Sequence, residues 1–142
     1  MASVDHTEYF DCELGDLFKV IQDCESYSEF LSDVTSCKIL EDHGSRKIVE
    51  YKISVIKTFT YINEHIEEEP NRLSFRFLEG DLFKSMEGSW DLKEESGKTR
   101  ADYKISASFG LFVPGGMTKK VIGANLPMMM KAYQERVALK KG

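Results

Sequence analysis

The chain has 142 residues, 42% hydrophobic and 30% charged, the composition of an ordinary soluble globular domain with room for one sizeable core. A formal net charge of −5 argues against general nucleic-acid binding through a basic surface, so DNA is not an expected partner. The N-terminus lacks the basic-then-apolar pattern of a secretory signal, and no apolar run approaches the roughly 18 residues of a membrane span. Cys12, Cys24 and Cys37 are odd in number and form no CxxC, which suits reduced, half-buried thiols in a cytoplasmic protein.

Val4 to Phe10 reads as a first strand. A helix starting at Asp11 or Cys12 follows, with Leu14, Leu17, Phe18 and Ile21 at helical spacing. Ser26-Tyr27-Ser28-Glu29 fits a capping box that opens a second short helix, with Tyr27, Phe30 and Leu31 as its buried face.

From Cys37 the hydrophobic period changes to two. Lys38 to Glu41 reads as a strand, followed by a turn at Asp42-His43-Gly44-Ser45. Val49, Tyr51, Ile53 and Val55 then share one strand face. A further strand covers about Thr58 to Glu67, with a charged end. Leu73, Phe75 and Phe77 alternate with polar residues, as do Lys84, Met86, Gly88, Trp90 and Leu92, then Ala101, Tyr103, Ile105, Ala107 and Phe109. Short turns make these strands an antiparallel meander.

The last segment has helical spacing. Met117, Val121, Ala124, Met128, Ala132 and Leu139 fall near one stripe, and Ile122, Leu126, Met129, Met130, Tyr133 and Val137 widen it. Pro127 should kink this helix. The expectation is one α+β domain over residues 1–142: a strand, two short helices, six strands and a long helix. A twisted sheet of about seven strands can curl around one long helix and leave a cavity between them. Gly88 suits a bend or bulge in that sheet and leaves internal room.

Several pieces of the sequence carry a family resemblance. Asp23-Cys-Glu-Ser-Tyr-Ser-Glu-Phe-Leu31 is similar to D-x-E-x-Y-P-E-F-L, with Ser28 in place of the usual proline. Leu78 to Lys84, Glu87-Gly-Ser-Trp-Asp-Leu92, Phe109 to Pro114 and Asn125 to Met130 match further pieces. Together they resemble the START-like (SRPBCC, Bet v 1-like) helix-grip superfamily, in its coenzyme Q-binding, polyketide cyclase-like and RatA branch. The resemblance implies a curved antiparallel sheet wrapped around a C-terminal helix. It also implies binding of a lipid or isoprenoid quinone, with a polyketide cyclase/aromatase or a ribosome-associating protein as alternatives.

No catalytic or metal-ligand spacing appears. His6, His43 and His65 are scattered and read as partly exposed, and no cofactor is expected. Glu67-Glu68-Glu69 reads as a solvated strand end. The candidate ligand-binding residues are the apolar inward set: Phe30, Tyr51, Ile53, Phe75, Phe77, Met86, Trp90, Tyr103, Ile105, Met129 and Tyr133. The methionines give a pliable lining, and Trp90 and Tyr103 offer polar tips. Lys84 shares their parity and would stand at the cavity mouth.

Leu111, Phe112 and Val113 form an apolar loop expected to act as a lid or as a contact with a membrane surface or partner. The expected partners are thus a hydrophobic small molecule, transiently the inner face of a membrane, and in the RatA-like alternative the ribosome.

Overall fold

The computed structural model describes residues 2–54, 57–110 and 126–141. The elements are β1 (Ala2–Phe10), α1 (Leu14–Gln22), a 3₁₀ helix (Cys24–Glu29), β2 (Val34–Asp42), β3 (Arg46–Ser54), β4 (Thr58–Glu68), β5 (Arg72–Gly80), β6 (Phe83–Glu95), β7 (Lys98–Phe109) and a C-terminal helix, here α2 (Leu126–Lys141). The strands form one seven-stranded antiparallel sheet in the order β1-β7-β6-β5-β4-β3-β2. Six strands are a meander, and β1 closes the far edge against β7. This is the expected helix-grip architecture, with an open curved sheet and a C-terminal helix.

Alternation explains which face of the sheet is covered. Trp90 pairs with Tyr103, Leu92 with Ala101 and Met86 with Ala107, so apolar residues meet across strands on the concave side. The convex side carries charges: Glu64 lies between Arg46 at 2.6 Å and Arg76 at 2.7 Å, and these two guanidinium groups hold its carboxyl below the usual range. Leu17, Phe18, Val20 and Ile21 of α1 enter the core, and α1 packs against α2 and the β5–β7 part of the sheet.

Several expectations are corrected. The Ser26–Glu29 capping box does not form: Asp23 stands at the N-cap of a 3₁₀ helix without a side-chain capping bond, and Ser26 Oγ donates to Asp23 Oδ2 at 2.7 Å. The three cysteines form no disulfide and are buried rather than half-buried. On α2 the core face runs Leu126, Met130, Tyr133, Val137, at i, i+4, i+7 and i+11, whereas Met128 and Leu139 are exposed.

Gly88 is not at a bulge either. It pairs in register with Phe75 on one side and Ile105 on the other. A Cβ there would stand 2.4 Å from Phe75 Cζ and 2.5 Å from the Lys104 carbonyl oxygen, so its space is filled by the Phe75 ring. The irregularity of β6 is at Lys84 instead, a bulge between the pairs Phe83–Phe109 and Ser85–Ser108. It shifts the parity, turning Phe83 inward and leaving Lys84 exposed.

The kink expected at Pro127 depends on the preceding turn, which lies outside the described residues, as do Met117 and Val55. Among the described residues, no helix is long and apolar enough to cross a membrane.

Candidate functional site

Between the concave face and α2 lies a cavity of about 520 Å³. The sheet supplies Tyr51 and Ile53 from β3, Phe75 from β5, Met86 and Trp90 from β6, and Tyr103 and Ile105 from β7. Met129 and Tyr133 of α2 close it from above, and Phe30 stands at the side. Of the expected apolar inward residues, the structure therefore brings all to this one cavity except Phe77. That ring packs edge-on against Phe83 at 6.0 Å between centroids, and Phe83 takes the place in the wall. The expected lid residues Leu111, Phe112 and Val113 lie outside the described residues.

The wall is built from interlocked rings. Trp90 contacts Tyr103 at 4.8 Å and Tyr133 at 5.0 Å, and Tyr133 meets Phe30 edge-on at 5.2 Å. On the opposite side Tyr51 and Tyr61 stack at 5.1 Å with planes 10° apart. Offset stacks and edge contacts are the favoured aromatic geometries, and rings fixed this way present a rigid surface to a flat guest.

The polar part of the cavity escaped the sequence reading. β4 contributes Tyr61, Asn63 and His65 to the wall. His65 is 2% exposed, not partly exposed as expected, and Tyr51 Oη lies 2.7 Å from its Nε2. Burial lowers the imidazole pKa to about 4, and the nearby Lys47 ammonium pushes in the same direction. Burial likewise holds the Tyr51, Tyr61, Tyr103 and Tyr133 hydroxyls protonated, well above their ordinary range. At neutral pH the cavity wall is therefore uncharged, with charged groups such as Asp33, Lys131 and Glu135 among its lining residues only where the side chains are not buried.

Beyond His65 the same strand face ends in Glu67, expected to be solvated but 6% exposed. Lys47 Nζ reaches it at 2.5 Å, and Gln22 Nε2 donates to it at 2.7 Å. The signal for these inward polar residues was the strict i, i+2 spacing of Phe59, Tyr61, Asn63, His65 and Glu67.

His65 should make the fold acid-sensitive. Its pKa is about 4 in the folded chain against 6.5 when unperturbed, so the unfolded chain takes up a proton that the native one refuses. Above pH 6.5 this costs nothing, and stability is lost as pH falls from there toward 4. From pH 7 to pH 5 the loss is about 2 kcal/mol. Urea denaturation of wild type and His65→Gln at both pH values measures it, and the variant should lack this share of the acid loss. Equal pH slopes would sink the assignment.

The sequence matches the family described as polyketide cyclase / dehydrase and lipid transport over residues 12–133. No curated protein matches it. Among solved structures it is similar to TTHA0849 of Thermus thermophilus, with a TM-score of 0.86 and 22% identity over 99% of this chain and 100% of that one. A START superfamily protein of Mycobacterium smegmatis gives 0.83 and 20%, covering 96% and 97%. The Zhui aromatase/cyclase of Streptomyces sp. R1128 gives 0.87 and 14%, covering 99% and 96%.

Proposed function

The chain belongs to the polyketide cyclase/dehydrase and lipid transport family, and on that premise we propose that it binds a hydrophobic small molecule between sheet and helix as a carrier or chaperone. The family description covers both lipid transport and cyclase-like roles. The observation that carries the carrier reading is the 520 Å³ ring-lined cavity, large enough for a lipid chain or a few fused rings. Binding draws on water exclusion, roughly 25 cal/mol per Å² of apolar surface buried before the costs of association. Phe30, Trp90, Met129 and Tyr133 would form the contact surface. Isoprenoid quinones and phospholipids are the guests to test first.

A cyclase-like role has one observation in its favour, the Tyr51–His65 contact inside the cavity. A neutral buried imidazole can accept a proton, and a tyrosine beside it can relay one. Among the described lining residues the carboxylates and the ammonium, Asp33, Glu135 and Lys131, stand at less buried positions, and the buried tyrosine hydroxyls are held protonated, which gives the chemistry little support beyond this pair.

Native mass spectrometry of freshly purified protein, followed by solvent extraction, tests the assignment. The expected result is a stoichiometric adduct that extracts as a lipid or prenylated ring compound. An aromatic polyketide in the extract would select the cyclase-like reading. A clean apo mass, with no uptake of added quinone or phospholipid, would overturn hydrophobic binding and move weight to a docking role, read by co-sedimentation with ribosomal subunits.

A further inference from the structure

Asn63 sits on the inward face of β4 between Tyr61 and His65, 2% exposed. Its amide nitrogen faces the Met86 sulfur at 3.9 Å, a weak contact. Among the described residues its carbonyl oxygen Oδ1 has no donor. Buried amide oxygens are nearly always hydrogen-bonded, because one left without a partner keeps the full cost of its desolvation. An orphaned acceptor in the wall of a cavity is a cost that a guest carrying a donor would remove.

The neighbouring polar pair does not supply that donor. Tyr51 Oη and His65 Nε2 occupy one another at 2.7 Å. With the hydroxyl donating into the ring nitrogen, the tyrosyl oxygen keeps lone pairs on its other side. At this end of the cavity Asn63 Oδ1 and Tyr51 Oη are thus acceptors, beside the protonated Tyr61 hydroxyl of the same wall. It is also a poor place for charge: among the described buried residues of the wall neither an anion nor an ammonium would find an oppositely charged side chain. What fits is a neutral O–H.

We propose that Asn63, together with the Tyr51–His65 pair, is a recognition subsite for a neutral hydroxyl on an apolar ring frame, a phenol or enol. The proposal rests on the reading of the cavity as a hydrophobic-ligand site and adds which member of that class it selects. The stacked Tyr51–Tyr61 rings and the Trp90–Tyr103 pair give the frame flat surfaces to lie against. Between the two redox forms of a quinone, the subsite selects the quinol, since the quinone itself offers only acceptors.

The test uses three fluorescent probes on the intact chain: a phenanthrol, its methyl ether and phenanthrene. All three share the ring frame, and only the first donates a hydrogen bond. Wild type should bind the phenanthrol about tenfold more tightly than the ether, the effect of one satisfied buried acceptor. Asn63→Leu should bring the phenol and the ether to within about twofold of one another, while phenanthrene still binds. Equal affinity of wild type for phenol and ether, with phenanthrene bound, overturns the subsite and leaves hydrophobic binding standing. A tenfold preference that survives in Asn63→Leu also overturns it. Failure of all three probes overturns both. The wild-type series decides the matter even if the variant does not fold.

Discussion

Gly88→Ala should cost the fold about 3 kcal/mol, the upper part of the range for overpacking a dense interior, and lower the melting temperature by roughly 10 °C. The added methyl would meet the Phe75 ring at 2.4 Å and the Lys104 carbonyl at 2.5 Å. A ring edge can swing away, but a carbonyl held in the β6–β7 ladder cannot move without spoiling its neighbours. Phe75→Leu in the same chain should therefore recover only part of the loss. The change should also disturb binding, because Phe75 is part of the cavity wall. Thermal and urea denaturation of the single and double variants give the result. An unchanged melting temperature for Gly88→Ala would mean that the sheet is not this tightly coiled at β6.

Lys47→Met should be comparably severe, at about 3 kcal/mol. The Lys47 and Glu67 side chains are 11% and 3% exposed and meet at 2.5 Å. Removing the ammonium leaves the carboxylate buried with Gln22 as its remaining donor, and breaking such a pair is strongly destabilising. Replacing both partners is different, since two apolar side chains require no desolvation of charge. Lys47→Met/Glu67→Leu should regain most of the stability, and the double-mutant cycle should show coupling of well over about 1 kcal/mol. Independent, additive losses would mean that the pair is solvated in solution. The cluster also joins α1 to the end of β4 through Gln22, so the single variant should raise proteolytic susceptibility near both.

Both predictions concern places where the sequence pointed elsewhere. Gly88 read as a bend with spare room, and Glu67 as the start of a solvated charge run. In each case the partner comes from another strand. Phe75 is 13 residues from Gly88, and Lys47 is 20 residues from Glu67, as the numbering gives. Local pattern carries no information on which ring or cation arrives there. Lys84 is a third instance: period-two alternation holds only while the ladder is regular, and one inserted residue at a bulge reverses every face before it.

The sequence by itself determined the order of the elements, the change of period from helical to two at the start of the meander, and the inward face of β3, β6 and β7. It could do so because over residues 49–53, 86–92 and 101–109 one face is apolar and the other polar, so burial there follows from the hydrophobic effect alone. It also determined most of the ring-lined wall, since those rings are the same residues. Only the tertiary structure decided the polar half of the cavity. On β4 both faces mix apolar and polar side chains, with Asn63, His65 and Glu67 on one and Ile62, Glu64 and Ile66 on the other. Alternation says which of these residues share a face, not which face is buried. That depends on Tyr51 and Lys47 arriving from the neighbouring β3, and Met86 from β6, to make a buried polar face tolerable.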